Sequence, residues 1–129
     1  MQRRVTLALL PILLLAVLSV RRVSAHHSFA STYSDQTITL EGKVVEFLYR
    51  SPHSAILLET PASNGQTILW EAESGTAGQL SRQGIEKDTL RPGDQVTISG
   101  NPSRNAADHR MRIDEITRPS DGLKWKISD

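Results

Sequence analysis

Apolar and polar residues alternate over most of the chain after residue 36, and this two-residue period predicts β-strands. The first strand, over residues 37–50, is long, and its inward set changes parity from Val44 to Val45, which indicates a bulge or a bend for which Gly42 is a natural position. A similar change of spacing predicts a bulge near Asp114-Glu115. Further strands are predicted over residues 55–60, 67–72, 95–100, 109–118 and 124–127.

The turns between these strands also have sequence signals. Asn64-Gly65 predicts a hairpin between the second and third strands. Residues 74–84 predict a short helix that ends at Gly84. Three strands, a helix and two or three more strands, with a long bent first strand, predict a mainly β fold: a small OB-like barrel of five or six strands with one short helix, after an N-terminal signal peptide. The alternative is a small β-sandwich.

The first 25 residues have the pattern of an export signal. Arg3 and Arg4 precede an apolar run of 16 residues, and Val23-Ser24-Ala25 suits a signal-peptidase site. The alternative is a retained membrane helix, although the run is shorter than the roughly 20 residues that span a bilayer. We therefore predict a signal peptide (1–25), a polar N-terminal arm (26–36) and an OB-like domain (37–129), periplasmic or secreted, with no stable membrane span after cleavage.

Cleavage would change the charge of the protein. The chain has 15 basic and 14 acidic residues, and four arginines lie before residue 26, which leaves a mature net charge of −3 before histidine is counted. A mildly acidic domain has no general attraction to nucleic acid, so nucleic acid is not a predicted partner. The chain has no cysteine, which excludes disulfides.

Several short motifs together resemble those of a known family. They are His26-His27-Ser28-Phe29, residues 39–42, Ser51-Pro52-His53, Trp70-Glu71 and the turn at residues 90–96. They are similar to a family of short exported bacterial proteins of unknown function, whose members have a His-His-Ser-Phe start, an Asn-Pro-His turn and a Lys-Pro-Gly-Asp turn. The chain departs from that pattern at Ser51, where the family usually has asparagine. The resemblance implies export and the fold, and it supplies no activity.

The predicted mature terminus offers metal-binding chemistry. Cleavage after Ala25 would place a free α-amino group beside the imidazoles of His26 and His27, and such nitrogen donors favour Cu(II) over Ni(II) and Zn(II). His53 is the candidate third ligand, in an arrangement resembling a histidine brace. The alternative is that His26 and His27 are only a flexible start and that His53 hydrogen-bonds within its turn.

Other residues suggest ligand binding without a metal. Glu71 and Glu73 lie on one face of a strand, where they form either an acid–base or cation site or a solvated edge. Trp70 and Trp125 can stack on a sugar or a base, or pack in the core.

No nucleophile motif, phosphate-binding glycine loop or cysteine metal site is present in the sequence. We therefore predict a non-catalytic binding module that holds a metal ion, copper favoured, through His26, His27 and His53. The alternative is an envelope protein- or ligand-interaction domain that uses the barrel face at Tyr49, Trp70 and Glu71.

Overall fold

Six strands form one antiparallel sheet that closes on itself through a single parallel pairing. The structure is a computed structural model, and it describes residues 30–127. The predicted signal peptide and the His26-His27 pair lie outside these residues. The elements are β1 (Ile38–Leu48), β2 (Ala55–Pro61), β3 (Thr67–Glu73), α1 (Ala77–Arg82), β4 (Gln95–Pro102), a 3-10 turn (Ala106–Asp108), β5 (Arg110–Arg118) and β6 (Leu123–Lys126).

The strand order confirms the predicted barrel. The order is β3-β2-β1-β4-β5-β6, and β3 also pairs with β5 in parallel, from Glu71 opposite Arg110 to Glu73 opposite Arg112. This extra pairing closes β1 to β5 into a five-stranded barrel, and β6 lies outside it on β5. The closed barrel with a helix between β3 and β4 is the OB-like arrangement, and it excludes the two separate sheets of a sandwich.

Both predicted irregularities are present as bulges. In β1, Val44 pairs with Leu58 and Glu46 with Leu57, so Val45 is the extra residue. The prediction that Val45 begins the new inward set is wrong, because a bulge residue has no cross-strand partner and Val45 is 42% exposed. In β5, Asp114 is the extra residue, since Ser99 pairs with Glu115 and Gly100 with Ile113.

Gly42 is required by the close approach of β2 rather than by its own backbone conformation. A Cβ atom at this position would lie 2.4 Å from the carbonyl oxygen of Glu59. Such a contact is far below any van der Waals distance, so a side chain here would push β2 away from β1. The glycine therefore permits the close approach of β2 to β1 at this point.

The helix α1 is shorter than predicted. The backbone groups of Ser74 and Gly75 pair with Ser54 instead, with N···O distances of 2.8 and 2.9 Å, which keeps both residues extended. The helix then begins with a capping box between Thr76 and Gln79. Its last residue is Arg82 and its C-cap is Gln83. The predicted Gly84 follows the cap, and its φ of 78° permits the amide of Ile85 to return to the Leu80 carbonyl at 3.0 Å.

The core fills the barrel with aliphatic side chains and one tryptophan. Its largest fully buried members include Ile56, Leu58, Ile98, Met111 and Ile116. Trp125 of β6 is 4% exposed, and its Nε1 donates to Gln83 Oε1 at 3.0 Å, so this tryptophan packs in the core. Within residues 30–127, no helix has the length and apolar character that crossing a membrane requires.

Arg118, at the end of β5, forms hydrogen bonds with two turns next to the barrel. It donates to the Thr89 carbonyl at 2.7 Å and to the Asp94 carboxylate, and its other nitrogens donate to both oxygens of Asp121 at 2.8 and 3.1 Å. Burial opposes the ionisation of Asp94, but hydrogen bonds from the Arg91 amide and from Arg118 outweigh it and lower the pKa of Asp94. The charged form of Asp94 therefore stabilises the folded state.

Asp94→Asn should destabilise the protein by about 1 kcal/mol at neutral pH, because a charged hydrogen bond in a partly exposed site is lost. A carboxyl whose pKa is lowered on folding adds stability above its unfolded pKa and loses it as pH falls through the folded pKa. The difference in melting temperature between wild type and variant should therefore shrink as pH falls below about 4. Asp88→Asn is the control, since the Asp88 carboxylate is exposed and 4.0 Å from Arg91. A difference that stays constant down to pH 2 would contradict the prediction.

Candidate functional site

Residues 32–34 of the predicted arm are held against the barrel. Tyr33 forms an antiparallel bridge with Ser103, the Ser34 amide donates to the Pro102 carbonyl at 2.9 Å, and the Arg104 amide donates to the Thr32 carbonyl at 2.9 Å. The Tyr33 side chain is 5% exposed. The arm therefore continues along the end of β4 and the loop that follows it.

The Tyr33 hydroxyl belongs to a partly buried charged cluster with Glu73 and Arg110. It donates to one oxygen of Glu73, and Arg110 donates to the other. Burial first, and then the hydrogen bond to the Glu73 carboxylate, raise the pKa of Tyr33, so its hydroxyl keeps its proton. Burial opposes the charge on Arg110, but Glu73 outweighs it and raises the pKa of Arg110. We call these three side chains the Tyr33–Glu73–Arg110 cluster.

His53 and Glu73 line the same small cavity. This His53 cavity has a volume of about 280 Å³ and is lined by the Arg50–His53 turn, Ala55, Glu71 and Glu73. The turn is anchored by Ser54, whose buried hydroxyl donates to the Arg50 carbonyl at 2.9 Å and accepts from the Arg50 amide at 3.1 Å. The structure thus brings His53 and both predicted carboxylates to one cavity.

Metal-ligating side chains are too few here to form a site by themselves. Across residues 30–127 there is no group of three or more histidine, aspartate or glutamate side chains placed to hold a metal ion. Both oxygens of Glu73 are already engaged by Tyr33 and Arg110. A metal at His53 would therefore need donors from another part of the chain.

A larger cavity lies at one end of the barrel, beside Trp70. This Trp70 cavity has a volume of about 590 Å³. Its lining includes Trp70, Ile38, Pro102 and Ala106, with polar groups from Ser34, Asp35, Gln36, Ser103, Arg104, Asn105 and Arg110. The indole of Trp70 is half buried, and the His109 ring lies against it with centroids 5.4 Å apart and planes tilted by 54°.

The backbone around His109 fixes that ring contact. His109 follows the 3-10 turn with φ of 46°, a conformation that is uncommon for residues other than glycine. Its carbonyl accepts a hydrogen bond from the Glu71 amide at 3.0 Å, which holds the loop to β3. His109 therefore supports one side of Trp70.

The structure separates the three residues predicted to form a ligand-binding face. Trp70 lines the larger cavity and Glu71 lines the His53 cavity. Tyr49 lines neither of these two cavities, and its hydroxyl donates to the Ala77 carbonyl at 2.8 Å, at the start of α1. Tyr49 therefore helps to hold the start of α1 in place.

Sequence reasoning missed Tyr33, His109 and Arg110. Tyr33 had one usable signal, because it is an aromatic residue in an otherwise polar segment. His109 and Arg110 lie in a run of polar and basic residues, and nothing in that run distinguishes a partly buried ion pair from a solvated surface. Their roles depend on contacts made across the barrel.

Comparison with curated proteins finds no match to this chain. Comparison with family models finds one that matches residues 14–112, which is most of the sequence. The matching model describes a family of unknown function, in agreement with the uncharacterised family that the motifs indicate. The chain belongs to that family, DUF6152.

Proposed function

We propose that the protein is an exported, non-catalytic binding module that holds a copper ion between the mature terminus, His26 and His27, and His53. The observation that carries this proposal is the hydrogen bond from Tyr33 to Glu73. Glu73 also lines the His53 cavity, so the arm is attached at the wall of the cavity that contains His53.

The length of the arm supports this arrangement. His27 precedes Tyr33 by six positions. Residues 30–32 are helical, and a helix rises about 1.5 Å per residue where an extended chain spans at most about 3.3–3.6 Å. The first mature residues therefore lie at most about 15 Å from Tyr33. The terminus is thus tethered close to Glu73, which accepts the Tyr33 hydrogen bond and also lines the His53 cavity.

The chemistry of the donors favours copper. A free α-amino group and imidazole nitrogens are ligands for which Cu(II) has the highest affinity among divalent first-row metals. His53 would then complete a site whose other ligands come from the first two mature residues.

The test uses protein purified from its exported form, with the mature terminus verified by intact mass. Cu(II) titration followed by electron paramagnetic resonance should give a nitrogen-rich signal of one copper per chain. His26→Ala and His53→Ala should each weaken copper binding by at least about tenfold. His109→Asn is the matched control, since it removes a histidine outside the His53 cavity and asparagine tolerates a positive φ.

Two results would reject the copper site. One is a retained N-terminal segment on the exported protein, because the α-amino ligand would then be absent. The other is copper affinity no higher than that of a free peptide that begins His-His-Ser-Phe. Binding that is lost in His26→Ala but unchanged in His53→Ala would reject the brace and leave a simple terminal chelate.

A further inference from the structure

The Trp70 cavity combines an apolar surface with a polar rim. One side of the half-buried indole is supported by His109, and Trp70, Ile38 and Pro102 line the cavity. A volume of about 590 Å³ lies within the range of small-molecule pockets. An aromatic side chain that is held in place loses little freedom when a ligand stacks on it.

The rim presents two polar side chains that the described part of the chain leaves uncommitted. The structure shows no hydrogen bond or ion pair to the side chains of Asp35 and Gln36 within residues 30–127, and both residues are exposed. Their backbone is nevertheless held, since the Gln36 carbonyl accepts from the Asn101 side chain at 2.9 Å and its amide donates to the Ser34 hydroxyl at 3.3 Å. The two side chains are therefore fixed at their base and available to a ligand.

Another part of the lining, residues 103–108, is a loop with its own internal hydrogen bonds. The hydroxyl of Ser103 and the side-chain Nδ2 of Asn105 donate to the two carboxylate oxygens of Asp108, each at 2.8 Å. The Asn105 side chain also accepts from the Ala107 amide at 3.3 Å. This loop keeps its shape without a ligand, so binding would not require it to become ordered.

The charges of the lining are balanced. Arg110 is paired with Glu73, and the other two charged residues of the lining, Arg104 and Asp35, carry opposite charges, so no net charge remains. A polyphosphate chain gains its affinity from surplus positive charge, and this lining supplies none. An uncharged ligand with many hydroxyl groups suits it better, because a carboxylate can only accept hydrogen bonds and needs donors from the ligand.

From these features we infer that the Trp70 cavity is a saccharide-binding site, in which a sugar ring packs on the Trp70 indole and ring hydroxyls donate to Asp35 and to the Gln36 side-chain oxygen. A pyranose ring has an apolar face of C–H groups that matches an aromatic surface, and equatorial hydroxyls at its edge that match the rim. The site is separate from the His53 cavity, so the inference does not depend on copper binding.

The test is isothermal calorimetry of the mature protein with three soluble trisaccharides: chitotriose, cellotriose and maltotriose. At least one should bind with one site per chain. Asp35→Ala, an exposed change, and Trp70→Leu, which keeps an apolar side chain in the barrel, should each weaken that binding about tenfold or more. Asp88→Ala is the control, since it removes an exposed carboxylate outside the cavity and should leave the affinity unchanged.

Three outcomes would overturn the inference. The first is no measurable heat with any of the three sugars at about 10 mM. The second is saccharide binding that Asp35→Ala leaves intact, which would place the sugar elsewhere even if Trp70→Leu fails to fold. The third is binding of a single-stranded oligonucleotide that competes at this cavity while the sugars do not bind.

Discussion

Gly100→Ala should lower the free energy of unfolding by about 3 kcal/mol or more, enough to leave a domain of this size barely folded. A Cβ atom at Gly100 would lie 1.9 Å from the carbonyl oxygen of Arg112 and 3.0 Å from the end of the Met111 side chain. The first contact is with backbone in the partner strand, so no rotamer change can relieve it. β4 and β5 would have to separate beside the Asp114 bulge.

Gly78→Ala is the matched control for this prediction. Gly78 is exposed in α1, and the nearest heavy atoms to an added Cβ are 4.0 Å away. Alanine should therefore stabilise the helix by up to about 1 kcal/mol. Urea unfolding followed by circular dichroism measures both changes. A Gly100→Ala protein as stable as wild type would show that β4 and β5 do not approach as closely as described.

Glu73→Ala should have the second largest effect, a loss of about 2–3 kcal/mol. Glu73 is the shared partner of Tyr33 and Arg110, and its side chain is 16% exposed. Its removal would leave a buried hydroxyl and a partly buried guanidinium without their acceptor. Glu71→Ala is the control, because Glu71 lies 3.9 Å from Arg110 and is more exposed, so it should cost no more than about 0.5 kcal/mol.

A double-mutant cycle would separate the hydrogen bond from the charge pair. Tyr33→Phe alone should cost about 1 kcal/mol. If Tyr33 acts through Glu73, Tyr33→Phe should cost much less in the Glu73→Ala background, and chemical unfolding of the four proteins measures that coupling. Additive losses would mean that the Tyr33 hydroxyl contributes to stability independently of Glu73.

Local patterns in the sequence were sufficient to predict the strands and the barrel class. The Asn64-Gly65 hairpin and the Gly84 helix end are set by neighbouring residues, which is why they could be read directly. The start of α1 could not be predicted from neighbouring residues. The backbone of Ser54, twenty residues earlier in the chain, forms hydrogen bonds with Ser74 and Gly75 and keeps them out of the helix. The exposure of Val45 was unpredictable for a related reason. A change in the alternation of apolar residues shows where a bulge lies, but it does not identify the extra residue.

The candidate sites were less predictable than the fold for the same physical reason. Glu71, Glu73 and His53 were recognisable as polar residues with possible chemistry, but their common cavity forms only when the β1–β2 turn folds beside β3. Tyr33 meets Glu73 across forty positions of sequence. Such contacts form only when the barrel closes. Neither the two-residue period of the strands nor the turn motifs can predict them.

The outer strand β6 affects how copies of this chain meet. Its edge away from β5 has no strand partner within residues 30–127, and an unpaired edge can recruit a strand from another molecule. The strand is only four residues long, and Lys124 and Lys126 are exposed on it while Trp125 is buried. Two copies aligned edge to edge would bring these lysines together, so charge repulsion and the short length of β6 both oppose aggregation through this edge.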